Sequence, residues 1–202
     1  MTFNPDEREC RSLRLPTYDY SSPGAYFATI CAHQRKCTFG RIVNGEMRLN
    51  DLGRIVTECW NEIPRHFPGV ELDVFAVMPN HLHGIAMLPR DEWCTEVNDN
   101  TGRGKACLAP TPRRFGTPPP NSLSSIIGSF KSAASRRINI LRRTPGAPVW
   151  QRNYYEHVIR NREDLHEVQQ YILDNPLRWA MDNENPDARR PPDRTRPIGK
   201  TT

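Results

Sequence analysis

Val70-Glu71-Leu72-Asp73-Val74-Phe75-Ala76-Val77-Met78-Pro79-Asn80-His81-Leu82-His83-Gly84-Ile85-Ala86-Met87-Leu88 is the stretch on which the fold turns. Its first half, Val70 to Met78, is rich in β-branched and aromatic residues and reads as a strand. Pro79-Asn80 is a turn pair, and His81 to Leu88 resumes as a second strand. Side chains alternate along a strand, so His81 and His83 share one face while Leu82 points into the core.

Upstream, Asn44-Gly45 suits a tight turn between Arg41–Val43 and Glu46–Leu49, which makes a hairpin. From Asn50 the period changes. Leu52, Ile55, Val56, Cys59, Trp60 and Ile63 recur at helical steps, Asn50 or Asp51 caps the start, and Pro64 and Pro68 close the region. Ala25 to Ala32 reads as a further strand, and residues 1–22 as a polar arm.

Downstream, residues 91–121 carry five prolines and little apolar content and read as an inserted linker. Asn121 or Ser122 then caps a helix with Leu123, Ile126, Ile127, Phe130, Ala134, Ile138 and Leu141 on one face. Trp150 to Ile159 is extended or irregular. Asn161 caps a last helix through Asn175, where Pro176 is expected to break or kink it. The expectation is one α+β domain over residues 23–180, an antiparallel sheet with flanking helices, followed by a disordered Pro/Arg-rich tail at 181–202.

Composition agrees with one domain and loose ends. The chain has 202 residues, 19 prolines, 37% hydrophobic residues and a formal net charge of +5. Mean hydropathy is -0.70. No apolar run is long enough for a membrane span, and Met1 to Arg8 lacks the apolar core of a signal peptide. The expected setting is the cytoplasm. Cys10, Cys31, Cys37, Cys59, Cys94 and Cys107 form no C-x-x-C pair and read as free thiols, with zinc a lesser alternative for Cys94 and Cys107.

The positive charge is concentrated. Between Asn100 and Tyr155 stand ten lysines or arginines and no acid, whereas the remainder of the chain is net negative. Such a block draws polyanions, so Lys131, Arg136, Arg142, Arg143 and Arg152 are candidate phosphate contacts. Trp150, Tyr154 and Tyr155 are candidates to stack on unpaired bases, against the alternative of ordinary core packing.

For chemistry, His81 and His83 can share a divalent ion, although an isolated H-x-H pair more often means two surface histidines. Ile85 stands where a binuclear zinc hydrolase would carry Asp, so a third ligand must come from elsewhere. Tyr171 and Asn175 lie four apart on one helical face. An Asn amide oxygen is a hard ligand suited to Mg2+ or Mn2+, and Tyr171 is a candidate nucleophile or a core aromatic.

Three blocks resemble a known family. Val74 to Ile85 is similar to the histidine motif of single-tyrosine HUH transposases. Val149-Trp150-Gln151-Arg152-Asn153-Tyr154-Tyr155-Glu156-His157-Val158-Ile159-Arg160 and Tyr171-Ile172-Leu173-Asp174-Asn175-Pro176-Leu177-Arg178 resemble the REP-associated tyrosine transposase branch, as do Tyr18-Asp19-Tyr20 and Gly24 to Phe27. The resemblance runs from about Leu15 to Trp179. It implies an HUH-nuclease fold and an endonuclease or strand transferase that cleaves and rejoins hairpin-forming single-stranded DNA. In that reading Tyr171 is the nucleophile, leaving a 5′-phosphotyrosine, and His81, His83 and Asn175 hold Mg2+ or Mn2+. The setting the resemblance implies is the bacterial cytoplasm, in association with the nucleoid; the expected partner is single-stranded or hairpin DNA, with no membrane, and the chain is read as either a monomer or a homodimer. The rivals are a non-cleaving hairpin-DNA binder on the same fold and an RNA-binding protein.

Overall fold

The computed structural model describes residues 18–89, 119, 121–182 and 184–188. The expected insertion, apart from residues 119 and 121, lies outside the described residues, as do most of the arm and residues 189–202 of the tail. The elements in chain order are β1 (Gly24–Cys31), β2 (Gly40–Val43), β3 (Glu46–Leu49), α1 (Asp51–Asn61), α2 (Ile63–His66), β4 (Glu71–Val77), β5 (His81–Leu88), α3 (Leu123–Arg142), β6 (Tyr155–Ile159) and α4 (Arg162–Arg178). A 3-10 turn, Trp179–Met181, follows α4.

The main sheet has the order β4-β5-β1-β6, and its pairs are antiparallel. β2 and β3 form a separate hairpin whose turn residues, Asn44 and Gly45, both have positive φ, as the sequence pattern requires. This is the expected α+β antiparallel architecture, with helices on both faces of the sheet.

Strand alternation sorts the core into two layers. Tyr26, Ala28, Ile30, Leu82 and Ala86 face α1 and α3, with Trp60, Ile126, Phe130 and Ile138. Phe27, Ile85 and Ile159 face the opposite way, against Val168 and Ile172 of α4. Gly84 sits where Trp60 lies flat on the sheet: a Cβ there would be 2.4 Å from the indole. Only glycine admits that approach. Arg137 of α3 ties the two helices of this layer by pairing with Glu58 and, at 3.6 Å, with Glu62.

The caps follow the sequence. Asn50 accepts from the backbone N–H groups of Leu52 and Gly53, Ser122 from that of Ser125, and Asn161 from that of Asp164. The extended reading of the segment from Trp150 holds: it forms an edge strand, β6, after a bridge between Ala32 and Trp150. One expectation is corrected. Pro176 does not end α4, which continues to Arg178. The proline cannot donate to the Ile172 carbonyl, and it lines a cleft together with Met47, Leu49, Phe75 and Val77.

Candidate metal centre and nucleophile

His81 and His83 lie on the odd-numbered face of β5, which faces α4. Both are 0% exposed, so neither is a surface histidine. The sheet is covered on both sides, and the imidazoles are therefore core residues of the second layer, just as Leu82 is of the first. Their ring centroids are 4.3 Å apart.

Each ring is held from behind. His83 Nδ1 lies 2.9 Å from Oγ1 of Thr29, its cross-strand partner on β1. His81 Nδ1 lies 2.8 Å from Asn80 Oδ1. The Asn80 amide nitrogen donates to the carbonyls of Arg35, at 3.0 Å, and Glu184, at 2.6 Å. Those two acceptors fix which end of the amide is nitrogen. Asn80 Oδ1 must then accept from His81 Nδ1–H, and His81 Nε2 carries the lone pair.

α4 brings Tyr171 across the sheet. Its hydroxyl oxygen is 3.4 Å from His83 Nε2, and its ring meets those of His83 and Phe27 at centroid distances of 5.3 and 6.2 Å. Asn175, one turn later on the same face, is 2% exposed, and its Oδ1 has no hydrogen-bond partner among the described residues.

The sequence reading missed Asp182. It lies in the span assigned to the tail, yet the 3-10 turn after α4 folds it back: its N–H donates to Trp179 O at 3.1 Å. His81, His83 and Asp182 bring their ligand atoms within 4.8 Å of one another, a group that could hold a metal ion. No spacing rule links Asp182 to the histidines. Trp179, three residues before it, also lies beside the site, with its ring 6.0 Å from that of His81.

The other candidates divide. Tyr155 faces the site layer and meets Phe27 edge-on at 6.2 Å. Tyr154 faces the opposite layer, 3.3 Å from Ser124 Oγ, so the sheet separates it from the imidazoles. Trp150 packs against Phe39 and Phe130 and is 8% exposed. Its contacts are those of the core-packing alternative.

Lys131 donates to the carbonyls of Gln151 and Asn153 at 2.9 and 3.0 Å. Burial lowers its pKa to about 8. Arg136, Arg142, Arg143 and Arg152 are exposed. α3 packs on the sheet face opposite the imidazoles. The segment after it returns to the site's end of the sheet, where Gln151 N–H donates to Cys31 O. Cys31 is the register partner of His81. Cys31, Cys37 and Cys59 are free thiols. Among the described residues no helix is long and apolar enough to cross a membrane.

The fold is that of a solved REP-associated tyrosine transposase bound to a REP hairpin. The two match at 20% identity and a TM-score of 0.52 over 80% of this chain and 72% of that one. No family model matches the chain. It belongs to the same family as an uncharacterized protein of Haemophilus influenzae (strain ATCC 51907 / DSM 11121 / KW20 / Rd). The two are 40% identical over 182 residues, covering 89% of this chain and 95% of the relative.

Proposed function

We propose that the protein is a metal-dependent tyrosine endonuclease and strand transferase of hairpin-forming single-stranded DNA. The observation that carries this reading is the Tyr171 hydroxyl, 3.4 Å from a buried imidazole of the His81, His83 and Asp182 group. Two imidazole nitrogens and a carboxylate oxygen suit a divalent ion such as Mn2+ or Mg2+, and the orphaned Asn175 oxygen is a further hard donor. When bound, such an ion would polarise a phosphodiester oxygen and offset the negative charge on the phosphoryl oxygens.

The residues of the chain supply the rest. Phe27 and His83 pack the Tyr171 ring, so its hydroxyl is held in one place. The Tyr171 oxygen attacks phosphorus, the new O–P bond forms, and the bond from phosphorus to the 3′ oxygen breaks. The phenolic proton leaves, and the departing 3′ oxygen takes one up. The products are a 5′-phosphotyrosine and a free 3′-OH. The ester keeps the bond energy, so reversal rejoins a strand without ATP. Arg136, Arg142, Arg143 and Arg152 supply phosphate contacts, with Arg152 on the segment that returns to the site.

The test is incubation with a labelled DNA hairpin bearing single-stranded flanks, with Mn2+ or with EDTA. A Mn2+-dependent, denaturation-resistant DNA adduct on Tyr171 is expected. Tight binding without any adduct would overturn the enzyme reading in favour of the hairpin binder. Preference for the matched RNA hairpin would overturn the DNA reading.

A further inference from the structure

Three segments far apart in sequence meet at one end of the sheet, and the contacts among them are polar. The first is the turn after β1, where Gln34 and Arg35 hold φ of 56° and 53°. Two consecutive non-glycine residues in the left-handed region persist only where the surroundings demand them. The second is the β4–β5 turn with Asn80, 0% exposed. The third is the segment after α4, with Asp182 and Glu184.

Asn80 binds the other two segments at once, through the carbonyls of Arg35 and Glu184. The strained turn is what aims the Arg35 carbonyl at that amide. It also sends the Arg35 side chain to the Glu184 carboxylate, with Nε 3.1 Å from Oε2. That carboxylate is 2% exposed and also takes the Cys31 thiol at 3.5 Å. The Glu184 N–H donates to Asp182 Oδ1 at 2.7 Å, and Asn185 Nδ2 donates to Trp179 O at 2.8 Å, which closes the turn carrying Asp182.

We propose that Arg35, Asn80 and Glu184 are positioning residues, a clasp that sets up the metal centre. It performs two tasks. It holds His81 in the Nδ1–H tautomer, so that Nε2 is the ligating nitrogen. It also pins the segment after α4, so that the Asp182 carboxylate stays in reach of both imidazoles. The inference rests on the metal reading given above. Partners that orient a ligand in this way typically govern affinity by about ten- to hundredfold.

The experiment measures Mn2+ binding to the full chain by calorimetry, without DNA. Far-UV circular dichroism and thermal unfolding in EDTA serve as the fold check. Nitrogen-15 spectra of the histidine rings report the tautomer. Wild type should bind Mn2+, His81→Ala should lose binding, and Asn80→Ala should bind about ten- to hundredfold more weakly. Glu184→Ala should bind about tenfold more weakly, and it carries the test if Asn80→Ala does not fold. In EDTA, wild-type His81 should show one tautomer, Nδ1–H, and Asn80→Ala a mixture. Wild-type affinity in both clasp variants, or an Nε2–H tautomer in the wild type, would overturn the clasp while leaving the metal reading standing. A wild type that does not bind Mn2+ would overturn both.

Discussion

Replacing Tyr171 by Phe separates chemistry from structure, and the geometry says by how much. The substitution deletes one oxygen and leaves the ring, so the packing against Phe27 and His83 remains. The deleted hydroxyl sits 3.4 Å from His83 Nε2, at the long end of hydrogen bonding. Its removal costs about 1 kcal/mol, which for a domain of this size lowers Tm by about 2–4 °C. Binding of a DNA hairpin should stay within about threefold of wild type, since a free-energy change of about 0.6 kcal/mol or less corresponds to that factor. The covalent adduct, by contrast, should vanish, because no other oxygen on this ring can bond to phosphorus. The assay is a denaturing gel of labelled hairpin incubated with Mn2+, run beside a binding titration and a thermal melt. An adduct that persists in Tyr171→Phe and disappears in Tyr155→Phe would refute the assignment. Tyr155 is the right control because it faces the same layer, whereas Tyr154 faces the other.

Asp182→Ala should weaken Mn2+ binding in calorimetry more than Asn175→Ala does, because Asp182 adds a charge within 4.8 Å of both imidazoles; the reverse order would make the amide the third ligand. His83→Ala should abolish Mn2+-dependent cleavage, and cleavage that continues in EDTA would remove the metal from the reaction. Changing Arg136, Arg142, Arg143 and Arg152 together to Gln should flatten the slope of log K against log salt by roughly 1 to 3, at about 0.7 for each phosphate that is no longer neutralised. An unchanged slope would place the DNA elsewhere. Gly84→Ala should destabilise the fold by about 1–3 kcal/mol, since its Cβ would press on Trp60; chemical denaturation reads this. Mn2+ affinity should be unaffected, because that Cβ points away from the imidazoles.

Much of this molecule is local. Asn44-Gly45, the capping residues Asn50, Ser122 and Asn161, and the alternating run from Val70 to Leu88 act through the dihedral preferences and hydrogen bonds of a few neighbouring residues. The hairpin, three helix starts and the β4–β5 pair are therefore legible in one dimension. So is the sharing of a face by His81 and His83, and by Tyr171 and Asn175, because strand and helix periods are properties of the backbone.

What depends on a neighbour from elsewhere in the chain could not be read that way. The histidine pattern alone does not say whether its face meets solvent or a helix; α4 covers it, and the pair becomes buried. Trp150 and Lys131 have the right chemistry for nucleic acid, but Phe39, Phe130 and the carbonyls of the segment 151–153 already engage them. Asp182 was hidden for the same reason. Its place beside the imidazoles depends on the turn after α4 and on Glu184 reaching Arg35 and Asn80. These interactions join three segments with no common period, and only the packed chain brings them together.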